Sequence, residues 1–176
     1  MVGVERFDNP LMKIVVAAKE RLYHFFSTYA PQAGCSDQAK DEFWNLLDEK
    51  TAEVPSKDVI IVAGDLDRHV GAAKDGYSCH GGFRYGSRNA DGERIIECSE
   101  SHNLTIVNAV FSHLISYYSG SSKPQIDIVL VKDCDRSTDC HRCKVRDGPP
   151  QHQPLVCTLK ITPPRVQQVE RSSGGE

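Results

Sequence analysis

No run of apolar residues in this sequence reaches the eighteen or so that a membrane-spanning helix needs. Glu5, Arg6 and Asp8 interrupt the N-terminal stretch where a signal peptide would carry its hydrophobic region. Those two absences point away from a membrane partner and towards an intracellular protein of the nucleus or cytoplasm. A basic excess is missing as well: the formal net charge is −3, so attachment to nucleic acid through a global positive field is excluded and any such contact has to be local. The seven cysteines are odd in number and irregularly spaced, unlike the disulfide framework of a small secreted domain, and free thiols in a reducing compartment are the expectation. Internal repeats are absent. Gly81, Gly82 and Gly86 have neither a preceding strand nor a following Lys-Ser/Thr, which excludes a phosphate-binding P-loop.

What is present fits one folded domain. The chain has 176 residues, 39% of them hydrophobic and 26% charged, enough to bury a core and too apolar for a disordered chain. Leu11 to Val16 and Leu22 to Tyr29 are rich in β-branched and aromatic residues around a short polar connection, which predicts a hairpin. From Ser36, an N-cap residue, to about Val54, the apolar Phe43, Trp44, Leu46 and Leu47 recur at helical spacing. Pro55 ends that amphipathic helix. The run Val59 to Ala63 has the length and composition of a strand covered on both faces. A glycine-rich stretch from Arg68 to Gly92 reads as a long loop, followed by a helix over Asp91 to Ser101 and a strand over Leu104 to Val107. Gln125 to Val131 and Leu155 to Ile161 form a final strand pair, before a tail from Thr162 whose Pro, Gln, Ser and Gly content predicts disorder. Helices alternating with two-sided strands favour an α/β layered domain.

Several residues could carry chemistry. Asp65 and Asp67, at i and i+2, project to one side of an extended chain. An isolated Asp-x-Asp would read as a solvated turn; five aliphatic residues and a glycine before this one put it at the C-terminal end of a buried strand, where α/β sheets hold ligands and where a hard cation such as Mg²⁺ finds carboxylate oxygens. Asp127 lies in a strand apolar on both faces and needs a donor. His152 could supply one, becoming a fixed acid or charge stabiliser, or the two could be an edge aspartate and a surface histidine. Cys134, Cys140, His141 and Cys143 lack the matched pair of a zinc knuckle and read as free loop cysteines.

In this order, Tyr29-Ala30-Pro31-Gln32, Gly64-Asp65-Leu66-Asp67, Ser112-His113-Leu114, Gln125-Ile126-Asp127 and Pro150-Gln151-His152, with the glycine-rich Cys79 to Asn89, resemble the endonuclease/exonuclease/phosphatase (DNase I-like) superfamily. The nearest resemblance is to the endonuclease domains of RTE-type LINE retrotransposons and craniofacial development protein 2-like proteins, over residues 5–161, with 162–176 as a tail. It implies a four-layered αββα sandwich and a Mg²⁺-dependent cut of a DNA phosphodiester. By resemblance, Asp65 orients or deprotonates the attacking water, Asp127 pairs with His152, His152 polarises the scissile phosphate and Tyr29 touches it. Asp67 and His113 meet the substrate phosphate, and Asp65 with Asp67 supplies the metal-side carboxylates. Three departures point to impaired or lost activity. The family's first strands, with an early Asn and a metal-binding Glu, are expected upstream of Met1. Asp67 stands where the family has Asn, and Gln151 where most of the superfamily has a metal-binding Asp. The alternatives are a catalytically dead remnant or binding module, and a phosphatase of the same superfamily.

Overall fold

The computed structural model describes residues 3–7, 10–18, 21–32, 34–66, 79, 90–109, 115–118, 126–132, 140–145 and 153–160. The expectations for Asp67, His113, Gln151, His152, most of the glycine-rich stretch and the tail 162–176 lie outside the described residues. In chain order the elements are β1 (Gly3–Arg6), β2 (Leu11–Ala18), β3 (Arg21–Tyr29), α1 (Asp37–Ala52), β4 (Val59–Asp65), α2 (Ala90–Ser101), β5 (Leu104–Ile106), a 3-10 turn (Val107–Ala109), β6 (Asp127–Lys132), β7 (Cys140–Val145) and β8 (Leu155–Leu159).

Six strands form one sheet of order β1-β2-β3-β4-β6-β5, and β7 pairs with β8 in a second. The expected hairpin is present: β2 and β3 run antiparallel from Leu11 opposite Thr28 to Ala18 opposite Arg21. β4 then runs parallel to β3 and antiparallel to β6, which places the aliphatic run in the sheet interior. Strand alternation divides its side chains between two layers. Ile60 and Val62 join Phe26, Ile128 and Leu130 in a core with Phe43, Trp44 and Leu47 of α1 and Ile95 and Ile96 of α2. Val59 and Ile61 face the other way, where Val107 and Val131 meet Leu155, Cys157 and Leu159 of the second sheet. Helices, main sheet and second sheet are thus three stacked layers among the described residues.

Local chemistry sets the helix ends. Ser36 caps α1, its Oγ accepting from the Ala39 amide at 3.2 Å, and Pro55 follows the C-terminal turn. Glu49 and Glu53 both bond Lys50 and hold its pKa above the usual lysine value. Asn103, at φ 53°, leaves α2 through the left-handed region that Asn tolerates better than most residues. His102 ties the two helices together through Asp48 Oδ1 at 2.6 Å.

Three expectations need correction. The strands read as a final pair are in different sheets: β6 sits between β4 and β5, and the partner of β8 is β7. β7 itself occupies part of what read as a cysteine-bearing loop, because its sequence CHRCKV has no apolar alternation and becomes a strand by pairing with β8. The free-thiol expectation holds for Cys35, Cys79 and Cys98. It fails at Cys157, which is disulfide-bonded; the Cα of Cys157 faces that of Cys143 across the β7–β8 ladder, a juxtaposition invisible in linear spacing. Among the described residues no helix is long and apolar enough to cross a membrane.

Leu47 is fully buried between α1 and the sheet, so Leu47→Ala should lower unfolding stability by about 2–5 kcal/mol in urea denaturation, against about 1 kcal/mol for Ser36→Ala. The Cys98 thiol is pushed up to about 12 by burial, with the Asp48 carboxylate adding to the shift. Alkylation at mildly alkaline pH should therefore label exposed Cys35 at once and Cys98 only on unfolding, as read by peptide mass spectrometry.

Candidate active site

The sheet register gathers three of the sequence's candidate residues into a single row. Tyr29 at the end of β3 is opposite Asp65 at the end of β4, and Asp65 is opposite Asp127 at the start of β6. Directly opposed residues share a sheet face with Cβ atoms about 5 Å apart. That face is the one whose deeper part, through Ile61 and Val131, is covered by β8. The row lies at the open end, with both aspartates partly exposed and Tyr29 52% exposed.

Asp65 owes its position to backbone constraints. Beyond it the ladder continues through the Ala30 amide to Asp65 O at 2.9 Å and the Leu66 amide to Ile126 O at 3.1 Å, and Leu66 is fully buried. Just before it, Gly64 is required by contact: a Cβ there would lie 1.8 Å from the Thr28 carbonyl oxygen on β3. The glycine in the motif is what brings β3 and β4 close enough to set Tyr29 beside Asp65.

Asp127 is held by residues that did not stand out in the sequence. Fully buried Asn108, from the 3-10 turn, donates through Nδ2 to Asp127 O at 2.9 Å and accepts from the Val129 amide at 3.1 Å. The hydroxyl of fully buried Ser116 accepts from the Asp127 amide at 3.3 Å. Ser116 O in turn accepts from the Gln153 amide at 2.7 Å, so the chain immediately after His152 is two hydrogen bonds from Asp127. The one sequence signal for Asn108 was an amide following the apolar run Leu104 to Val107. Tyr29 Oη accepts from Gln32 Nε2 at 2.8 Å, which steadies the ring from within its own tetrad.

Two carboxylates facing each other across a strand pair repel unless a cation or proton donor lies between them. Among the described residues no group of three His, Cys, Asp or Glu gathers as a metal cluster. Asp65 and Asp127 do fit Mg²⁺, which is commonly bound by one or two carboxylates with waters and substrate phosphate completing an octahedron. The expected same-side partner of Asp65, Asp67, lies outside the described residues, and the carboxylate the fold sets against Asp65 is Asp127.

Gly64→Ala should force β3 and β4 apart and destabilise the protein by more than the ~1 kcal/mol of a typical point substitution, as read by urea denaturation. Asn108→Ala strands two buried backbone groups at about 1–3 kcal/mol each, so it should lower the denaturation midpoint as far as a core truncation does.

No protein-family model matches the chain, and no curated protein matches it by sequence. Solved structures do match in fold. They include an AP endonuclease from Archaeoglobus fulgidus, at 15% identity and a TM-score of 0.58 over 86% of this chain and 65% of that one. A humanized D. rerio TDP2 gives 12% and 0.54 over 86% and 60%, and an endonuclease/exonuclease/phosphatase family protein from Leptotrichia buccalis C-1013-b gives 12% and 0.54 over 86% and 54%. This chain therefore spans between about half and two thirds of the length of those structures, and its fold is their DNase I-like α/β fold.

Proposed function

We propose that this chain is a DNA phosphodiesterase domain of the endonuclease type, derived from an RTE-type retrotransposon, with a Mg²⁺-assisted site of reduced activity. The observation that carries the reading is the row Tyr29, Asp65, Asp127 at the open end of the sheet. The AP endonuclease among its fold relatives supports a phosphodiester as the bond attacked. Mg²⁺ would draw charge from the phosphate oxygens and lower the pKa of a bound water.

The chain's own groups divide the remaining work. Asp65 accepts a hydrogen bond from the attacking water and orients it towards phosphorus. Asp127, its backbone clamped by Asn108 and Ser116, holds the imidazole of His152, which donates to a phosphate oxygen as charge builds there. Tyr29 stands at the mouth and contacts the phosphate from the opposite flank, and Asp67 and His113 complete the phosphate surroundings. Reduced activity follows from the donor set: Asp67 offers charge where an amide would donate to phosphate, and Gln151 offers an amide where a carboxylate would bind metal. The same two substitutions favour the second reading, a remnant that binds without cutting.

Incubated with supercoiled plasmid and with an abasic-site duplex, the chain should nick slowly in Mg²⁺ and not in chelator. Asp65→Ala and His152→Ala should fall to the buffer rate, a loss of about 100-fold or more for a fully competent site. Equal rates for all three proteins would discard the nuclease reading. Millimolar or tighter Mg²⁺ binding in calorimetry without turnover would favour the binding remnant.

A further inference from the structure

Tyr29 also borders a cleft of about 530 Å³ that lies away from the carboxylates, with Arg6, Phe7, Pro10, Met12 and Ser27 among its other walls. The register explains how Arg6 reaches it. β1 pairs with β2 so that Glu5 is opposite Lys13 and Arg6 is opposite Met12, which is itself opposite Ser27 on β3. Glu5 and Arg6 therefore face opposite sides of the sheet. Glu5 takes Lys13 as its partner at 3.3 Å on the helix side. Arg6 is exposed on the side that carries Tyr29, Asp65 and Asp127, and it makes no ion pair among the described residues.

The row Arg6, Met12, Ser27 is one pleat repeat from the row of Tyr29, and β1 is two strands from β3. By strand rise and spacing the Cα atoms of Arg6 and Tyr29 are roughly 12 Å apart, a span that the Arg side chain and the Tyr ring narrow from either end. Between them the walls on this face are apolar or weakly polar: Met12, Pro10 and the Ser27 hydroxyl, while Phe7 turns to the helix-side core beneath Lys50. The cleft thus joins a cation with no ion pair among the described residues, an exposed aromatic residue and apolar walls, and its Arg6, Met12 and Ser27 walls lie on the same face and at the same end as the carboxylate row.

We propose that this cleft is a subsite for the DNA strand flanking the scissile phosphate, with Arg6 on a backbone phosphate and Tyr29 and Met12 against the adjacent sugar. The assignment rests on the phosphodiester reading of the Asp65 and Asp127 row. Arg6 supplies the local positive charge that a chain of net charge −3 needs to bring a polyanion past two aspartates. Its planar guanidinium matches phosphate in two-point geometry. Tyr29, 52% exposed, gives the sugar an aromatic face that does not depend on sequence. Recognition at this subsite is therefore of backbone rather than of bases.

The test is binding of a fluorescein-labelled DNA duplex to the full chain, by anisotropy at several salt concentrations. Arg6→Ala should weaken affinity about tenfold at low salt and reduce the slope of log K against log salt by about 0.9, the release of counterions from one phosphate contact. Arg6→Lys should keep the slope and lose part of the affinity. Lys57→Ala, the same charge change on an exposed residue at the opposite end of the sheet, should leave the slope alone, and thermal melts matching the parent chain establish that each variant is folded. Equal slopes for Arg6→Ala and the parent would overturn the subsite, and would leave the nuclease reading intact if Asp65→Ala still abolishes nicking. An equal slope loss in Lys57→Ala would reduce the effect to net charge and overturn it as well. A parent chain with no salt-dependent DNA binding would overturn both readings.

Discussion

β4 is covered on both faces, and the rest of the molecule is arranged around that requirement. Val59, Ile60, Ile61 and Val62 are all buried, and because a strand alternates, two of them must find the helices and two must find another layer. α1 and α2 supply one cover and β8 the other. Each fully buried aliphatic side chain contributes about 1.5–3 kcal/mol, so the strand that stabilises the three layers also decides where the chain leaves them. It leaves at Asp65, between the end of β3 and the start of β6. The site is a by-product of the core's geometry, sharpened by Gly64, whose missing side chain lets β3 lie against β4.

That placement sets up an electrostatic conflict. Asp65 and Asp127 are opposed in a chain already net negative, which disfavours both folding and the approach of a polyanion. The structure meets the first problem with neutral groups: Asn108 and Ser116 fix the backbone at Asp127 with hydrogen bonds and add no charge. Away from the row, Arg6 is exposed on the same sheet face.

Much of this architecture was legible because it is written in period. The hairpin of β2 and β3, the helix α1 with its Ser36 cap, the two-sided strand β4 and the helix α2 all carry apolar residues at the spacing their structure requires, and each is found within a few residues of its expected place. β7 was not legible, since its polar residues have no period of their own and are ordered by their partner strand. β6 and β8 were legible as strands and not as members of different sheets, since pairing joins residues far apart in the chain. Asn108 and Ser116 were silent for the same reason: their importance lies in which backbone atoms they meet.

By itself the sequence determined the local elements and the two-sided burial of the aliphatic strand, since each follows from side-chain chemistry acting over a few neighbouring residues. Tertiary structure alone decided that Asp127 is the carboxylate opposite Asp65, that Tyr29 stands in the same row, and that Arg6 turns to that face while Glu5 turns away. Those relations depend on strand register. Register is set by the packing of whole sheet faces, a sum over distant residues that no single stretch of sequence contains.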